Sequence, residues 1–426
     1  MRARLAPVVQ MRALLPLVRL AFRVSTIRAV DAQAKTVARI VLEEPLGESG
    51  RQPTAICRVR VVPVRGYENR ADRVARRLAE LPGLRASPGG RLVSALAEIG
   101  RQPGDHAGQL DLKLDASMAS RAVVQALLGQ LLAAAEQNVP GVEADLDTEF
   151  LHDLRVAVRR ARSALKLLGD VLPVNAVGRL AVELKWMGDL TTPTRDLDAY
   201  LLAIEAAEED EALQPYHAFL RSRRRKARRA LVRGLGSARW ARTCQQWRDL
   251  SSAEPDTLGR SAGGSRRFGE LAPPRIARAY RRATRMGEKI TAESPATDLH
   301  ALRKRCKELR YLLEFSRTML DGSSYRTVIV QLKALQDCLG EFQDTQVQGA
   351  AIDAFAEEMM AAGRTSAATI MAMGRASDAL QARQGRARAL FARRFSDFAN
   401  RGTRTRVAEL SIFRAGLERV PRMEHP

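Results

Sequence analysis

From about residue 117 onward, apolar positions recur at steps of three and four, the period of a helix with one buried face. The pattern predicts helices over 117–137, 149–172, 177–190, 196–208 and 216–235, with Pro173, Pro193 and Pro215 as punctuation. A stretch rich in Gly, Ser and Pro over 251–274 reads as a long connection. Helical periodicity resumes over 275–292, 299–320, 325–339, 344–360 and 366–398, and the segment after Arg401 reads as a loose basic tail.

The first hundred residues have another texture. Runs over 37–42 and 56–64 are β-prone, the second alternating as Ile56, Arg58, Val59, Arg60, Val61. A helix is predicted over 68–81, stopped by Pro82-Gly83, and a short one over 92–99. Two or three strands cannot close a sheet unaided, so this region reads as a small or incomplete α+β segment. The domain plan is therefore 1–108, then a helical domain over 116–400 (116–250, a linker at 251–274, and 275–400), then a tail at 401–426.

Within the helical domain a single stretch sets the plan. His152, Arg155, Arg159, Arg162 and Lys166 line one helix face. Leu151, Leu154, Val158, Ala161, Leu165 and Leu168 form an apolar seam beside them. His300, Arg303, Lys307 and Arg310 repeat the line, with Leu299, Leu302, Cys306, Leu309 and Leu313 as their seam. One residue is about 100° of helical rotation, so each basic line flanks its buried seam and does not oppose it. Such cations point into whatever groove the neighbouring helices form, and a groove lined by cations asks for an anion.

The arrangement is an internal repeat. His152 precedes Lys185 by 33 positions and Asp196 by 44, and His300 precedes Lys333 and Asp344 by the same 33 and 44. Leu184-Lys185-Trp186-Met187 matches Leu332-Lys333-Ala334-Leu335, and Leu190 is paired with Leu339.

Composition narrows the partner. Aromatics make up 5% of the 426 residues and the formal charge is +22, with arginine far ahead of lysine. The planar guanidinium grips phosphate oxygens in pairs. Charge alone admits polyphosphate, nucleic acid or an anionic surface. Few aromatics accompany the basic lines, which argues against base stacking. Cys57, Cys244, Cys306 and Cys338 are scattered, which favours a reducing compartment and makes cytoplasm the default. The apolar runs before residue 24 are too short for a signal peptide or a membrane span. The two histidines lack an i, i+4 partner or clustered cysteines, so no metal site or cofactor is expected. Asp196 and Asp344 read as helix caps or as holders of a lysine, and Trp186, Trp240 and Trp247 as packing residues. No phosphate-binding glycine loop, catalytic triad or metalloprotease motif is present.

These residues resemble the conserved histidine α-helical domain, CHAD. The resemblance is carried by His152-Asp153-Leu154-Arg155 with Arg159-Arg160, by His300-Ala301-Leu302-Arg303, and by the Leu-Lys elements leading to Arg195-Asp196 and to Gln343-Asp344. Thr191 stands where a glycine is expected after Leu190, which predicts an altered turn there. The resemblance implies a mainly α fold, two four-helix bundles related by a pseudo-twofold, and a basic cavity holding inorganic polyphosphate. Matching by position, the implied phosphate contacts are His152, Arg155, Arg159, Arg162, Lys166, Lys185, His300, Arg303, Lys307, Arg310 and Lys333. Arg221, Arg224, Arg228, Arg386 and Arg393 are added from two later helices that do not align at one offset.

The preceding segment resembles the back portion of a CYTH-type triphosphatase, through residues 37–43, Arg58-Val59-Arg60 and Gly66-Tyr67-Glu68. The family's Glu-x-Glu-x-Lys element is absent, so no catalysis is expected of it. The expectation is a non-catalytic polyphosphate binder associated with polyphosphate granules. The alternatives are a magnesium-dependent triphosphatase and a nucleic-acid binder.

Overall fold

The fold is that of a computed structural model, and it describes residues 12–15, 18, 20–46, 57–86, 90–98, 114–205, 210–254, 263–363 and 365–410. The chain divides into two compact units, Met1–His106 and Ala107–Pro426.

In the first unit β1 (Phe22–Val30), β2 (Thr36–Pro45) and β3 (Arg58–Pro63) form an antiparallel sheet in that order. The turn between β1 and β2 is made by Ala34 at φ +59°. The sheet is followed by α1 (Glu68–Ala79) and α2 (Arg91–Glu98). β1 escaped the sequence reading because Arg23, Ser25, Thr26 and Arg28 interrupt any alternation, and nearly every residue of the strand is solvent-exposed. Glu43 is buried on β2 and pairs with Arg60 of β3 at 3.2 Å.

The second unit holds ten helices among its described residues. The first five are α3 (Ser120–Glu143), α4 (Thr148–Leu168), α5 (Val174–Glu205), α6 (Gln214–Leu235) and α7 (Ala238–Ser252). The second five are α8 (Phe268–Gly287), α9 (Ala296–Phe315), α10 (Gly322–Ala361), α11 (Ala367–Ala399) and α12 (Arg401–Leu410). The starts of α3 and α8 are 148 residues apart (268 − 120), and those of α4 and α9 and of α5 and α10 keep the same interval. Backbone bonds at the first pair of starts obey a twofold. Ser120 N donates to Arg266 O at 2.8 Å while Phe268 N donates to Met118 O at 2.9 Å. Arg121 N donates to Gly264 O at 3.0 Å while Gly269 N donates to Ala116 O at 2.9 Å. These bonds frame a bridge between Ala119 and Arg267, themselves 148 apart.

The seams are buried as their spacing requires: Leu151, Leu154, Val158, Ala161, Leu165 and Leu168 on α4, and Leu299, Leu302, Cys306, Leu309 and Leu313 on α9. Asp147 caps α4 by accepting from the backbone N–H of Glu149 at 2.8 Å and of Phe150 at 3.2 Å. Trp247 is fully buried and donates to Leu128 O at 2.9 Å.

Five expectations are corrected. The connection over 251–274 is largely helical at its ends. α7 runs to Ser252, and α8 starts at Phe268 and contains Pro273 and Pro274, which cannot donate to the carbonyls of Gly269 and Glu270; the Glu270 carbonyl accepts from Arg266 Nη2 at 3.2 Å instead. The tail begins with a helix, α12, whose Val407 and Leu410 are buried; residues 411–426 lie outside the described residues. The predicted helix pairs 177–190 with 196–208, and 325–339 with 344–360, are each one unbroken helix, α5 and α10. Asp196 and Asp344 therefore stand in helix interiors and cap nothing. At the constant interval Thr192 stands opposite Gly340, so the substitution noted after Leu190 alters no turn.

Two apolar cores result. The larger draws on every helix from α3 to α12, taking Leu231 and Leu235 from the end of α6, Leu180, Leu184 and Met187 from α5, and Val328 to Phe342 at helical spacing from α10. The smaller joins Leu197, Tyr216 and Leu220 to Ile352, Met359 and Met373. Between them, α5 and α10 each carry a polar band: Thr191, Thr192, Thr194, Arg195 and Asp196 on one, Gln343, Asp344 and Thr345 on the other.

Candidate anion site on the pseudo-dyad

The basic lines of α4 and α9 meet at this polar band. Arg159 and Lys307 are mates at the 148-residue interval, and each lies in the other's field, as do Asp196 and Asp344. A residue close to its own mate must lie near the twofold, so these four groups mark the axis.

Arg155 and Arg303 fasten the lines to the band. Arg155 Nη1 donates to Gly188 O at 3.3 Å, Thr191 Oγ1 at 2.8 Å and Thr192 Oγ1 at 2.9 Å. Arg303 Nη1 donates to Gln343 Oε1 at 2.7 Å and Asp344 Oδ1 at 3.3 Å. The two mates differ because their surroundings do. A Cβ at Gly340 would stand 3.2 Å from Arg303 Nη2. In the first half Thr192 occupies that place and offers its hydroxyl to Arg155.

Five cations (Arg155, Arg159, Arg195, Arg303, Lys307) thus face two carboxylates (Asp196, Asp344). Burial, then the Arg303 and Arg159 guanidinium groups, lower the Lys307 ammonium to about 8 against the opposing pull of Asp344. Burial and then Arg195 lower the His152 imidazole, which favours its neutral form. Burial raises the Asp196 carboxyl in spite of Arg155 and Arg195. Arg195 Nη1 and Gln336 Nε2 are buried without a protein acceptor among the described residues. Each such donor costs free energy unless an acceptor reaches it. The arrangement is a set of like charges held together by the packing of two cores, and it suits a multivalent anion rich in oxygen.

Of the residues implied from sequence, His152, Arg155, Arg159, Arg303 and Lys307 converge here. Arg162 lies one turn along α4, its guanidinium over Gly188 of α5. Arg310 lies on α9, paired with Glu314 at 2.6 Å. His300, on α9, is half-buried, and Lys333, on α10, is exposed. The others are placed elsewhere. Lys166 pairs with Glu308 at 2.7 Å and Lys185 with Asp189 at 2.8 Å. Arg224 is clamped by Asp198 at 2.5 Å and Asp145 at 2.6 Å. Arg228 reaches Glu143 O at 2.5 Å and Asp145 at 3.3 Å. Both hold the corner between α3 and α4, where Asp145 adopts φ +52°. Arg221, Arg386 and Arg393 are exposed on α6 and α11. Arg195 was missed because its mate is the neutral Gln343, so the repeat did not flag it.

Among the described residues no group of three or more His, Cys, Asp or Glu is arranged to hold a metal ion, and no helix is long and apolar enough to cross a membrane.

Comparison with known proteins agrees with this architecture. The model of the family described as CHAD domain matches residues 126–353. The crystal structure of the CHAD domain from the plant Ricinus communis is similar at 25% identity and a TM-score of 0.53, covering 71% of this chain and 96% of that one. PptA from Streptomyces chartreusis is similar in fold at 18% identity and a TM-score of 0.51, covering 65% of this chain and 99% of that one. The comparison with curated proteins gives no match.

Proposed function

The chain belongs to the CHAD domain family, and from that premise we propose that it binds inorganic polyphosphate at the pseudo-dyad as a non-catalytic module, and so brings itself to polyphosphate granules. The observation that carries this reading is the Arg159–Lys307 pair: two cations that are mates in the repeat, crowded on the axis and lacking an ion-pair partner among the described residues. Each internal phosphate of the chain carries a negative charge, so one ligand supplies many counter-charges in a row. Charge-assisted contacts are worth about 1.5–3 kcal/mol each where partly desolvated, and binding relieves the repulsion that the empty site holds.

The test is a titration of long-chain polyphosphate against Arg159→Glu combined with Lys307→Glu. We expect loss of binding with an unchanged circular dichroism spectrum; retained affinity would reject the site. Nucleic acid is separated by competition. Polyphosphate should displace DNA at equal phosphate concentration and moderate salt, and the reverse order would favour a nucleic-acid role. Phosphate release from tripolyphosphate by the pure protein would overturn the non-catalytic reading.

A further inference from the structure

A second cluster of cations lies outside the dyad. A cleft of about 620 Å³ is formed by the end of α4, the face of α8 and the middle of α9. Lys166, Arg266, Arg275, Arg278 and Arg282 line it, against the carboxylates of Asp170 and Glu308. Arg275 is spent on Asp170, its two terminal nitrogens meeting the two oxygens at 2.8 and 2.5 Å. Lys166 is spent on Glu308. Arg278 and Arg282 are exposed one turn apart on α8 and have no acidic partner among the described residues. The cleft is thus held in shape by its own ion pairs and keeps two guanidinium groups for a visitor.

The basic line of α4 leads from the dyad toward the cleft. Arg155, Arg159, Arg162 and Lys166 share one face of α4, so Lys166 is the last rung of the line that begins on the axis. Arg159 and Lys166 are seven residues apart, roughly 10 Å along a helix rising about 1.5 Å per residue. Arg162, exposed and without an ion pair among the described residues, bridges the interval. The mates of Arg275, Arg278 and Arg282 in the first half are Leu127, Gln130 and Ala134, and the mate of Lys166 is Glu314. The matching place in the first half therefore lacks these cations, and the repeat offers the cleft once and not twice.

Resting on the function proposed above, we infer that this cleft is a second anion site, which takes the distal segment of a polyphosphate chain whose other segment lies on the dyad. The site makes the protein discriminate by chain length, because a short chain fills the dyad alone and a long one engages both places at high effective concentration.

The experiment is a pair of titrations, with tripolyphosphate and with long-chain polyphosphate, on Arg278→Glu combined with Arg282→Glu. A control of equal charge change reverses two exposed arginines elsewhere, Arg179 and Arg326. We expect the α8 variant to keep tripolyphosphate affinity within about twofold, to lose about tenfold or more for the long chain, and to show a shallower salt dependence for it. Equal loss for both lengths, no loss for either, or the same loss in the control would overturn the inference. If tripolyphosphate affinity also survives Arg159→Glu with Lys307→Glu, it is the dyad reading that fails, and the two results are read independently.

Discussion

The two halves of the helical unit share a register of 148 residues from Ala119 to Asp344, yet they have divided their charges. Where α4 and α9 touch across the twofold, Arg160 meets Glu314 at 3.2 Å and Lys166 meets Glu308 at 2.7 Å. Arg160 and Glu308 are mates, and so are Lys166 and Glu314. The first half supplies both cations and the second both anions. Two identical copies would have set cation against cation, so each half fits the other better than it would fit itself. On the axis the opposite holds: Arg159 and Lys307 remain alike. Opposite charges close the interface, and like charges are kept where a ligand is to enter.

The comparison can be broken most severely at the axis. Arg159→Glu with Lys307→Glu is expected to lower polyphosphate affinity by a hundredfold or more while leaving the fold intact, as titration and circular dichroism will read. Next in size is Glu314→Lys, which sets a third cation beside Arg160 and Arg310. Removing one partner of a well-buried pair costs about 3–5 kcal/mol; this pair is partly exposed, and a loss of about 2–3 kcal/mol in chemical denaturation is expected, restored to some extent by adding Arg160→Glu.

A smaller effect separates the two anchoring arginines. Arg155 makes three bonds within α5, two of them to half-buried or buried threonines, whereas Asp344 beside Arg303 is exposed. Arg155→Ala is expected to cost about 1–2 kcal/mol more stability than Arg303→Ala, at roughly 0.5–1.5 kcal/mol per net hydrogen bond.

The smallest effect is on pH. Lys307 titrates near 8 in the fold, below an unfolded lysine, so between those values the unfolded chain holds the extra proton. Stability of the unliganded protein therefore rises with pH across that interval and is lowest, for this group, below about pH 8. Thermal melts should show the rise, and Lys307→Met should flatten it. Polyphosphate affinity should fall over the same range as the ammonium is lost.

Much of this was legible in the sequence, because it rests on periodicity and repetition. The seam of α4 beside its basic line, and the matched intervals from His152 and His300, showed that the two halves are helical and which helix faces they bury. What was hidden depends on groups far apart in the chain. Arg224 looked like a ligand contact until Asp145 and Asp198 arrived from the α3–α4 corner and from α5. Lys166 and Arg310 looked free, and each found a glutamate on α9. Pro193 looked like a break between helices. α5 instead runs through it, supported by Thr191 Oγ1 on Met187 O at 2.9 Å and Thr192 Oγ1 on Gly188 O at 2.8 Å.

That proline has a mechanical meaning. It withdraws the amide that would have bonded the carbonyl of Asp189, inside the polar band and two residues before Arg195, whereas α10 crosses the same level with no proline. The two long helices are therefore unequal beams. When the counter-charge leaves, α5 is the member with a weakened joint at the point of load, and α10 is the rigid post, so any widening of the gap between the two cores should swing on the first half alone.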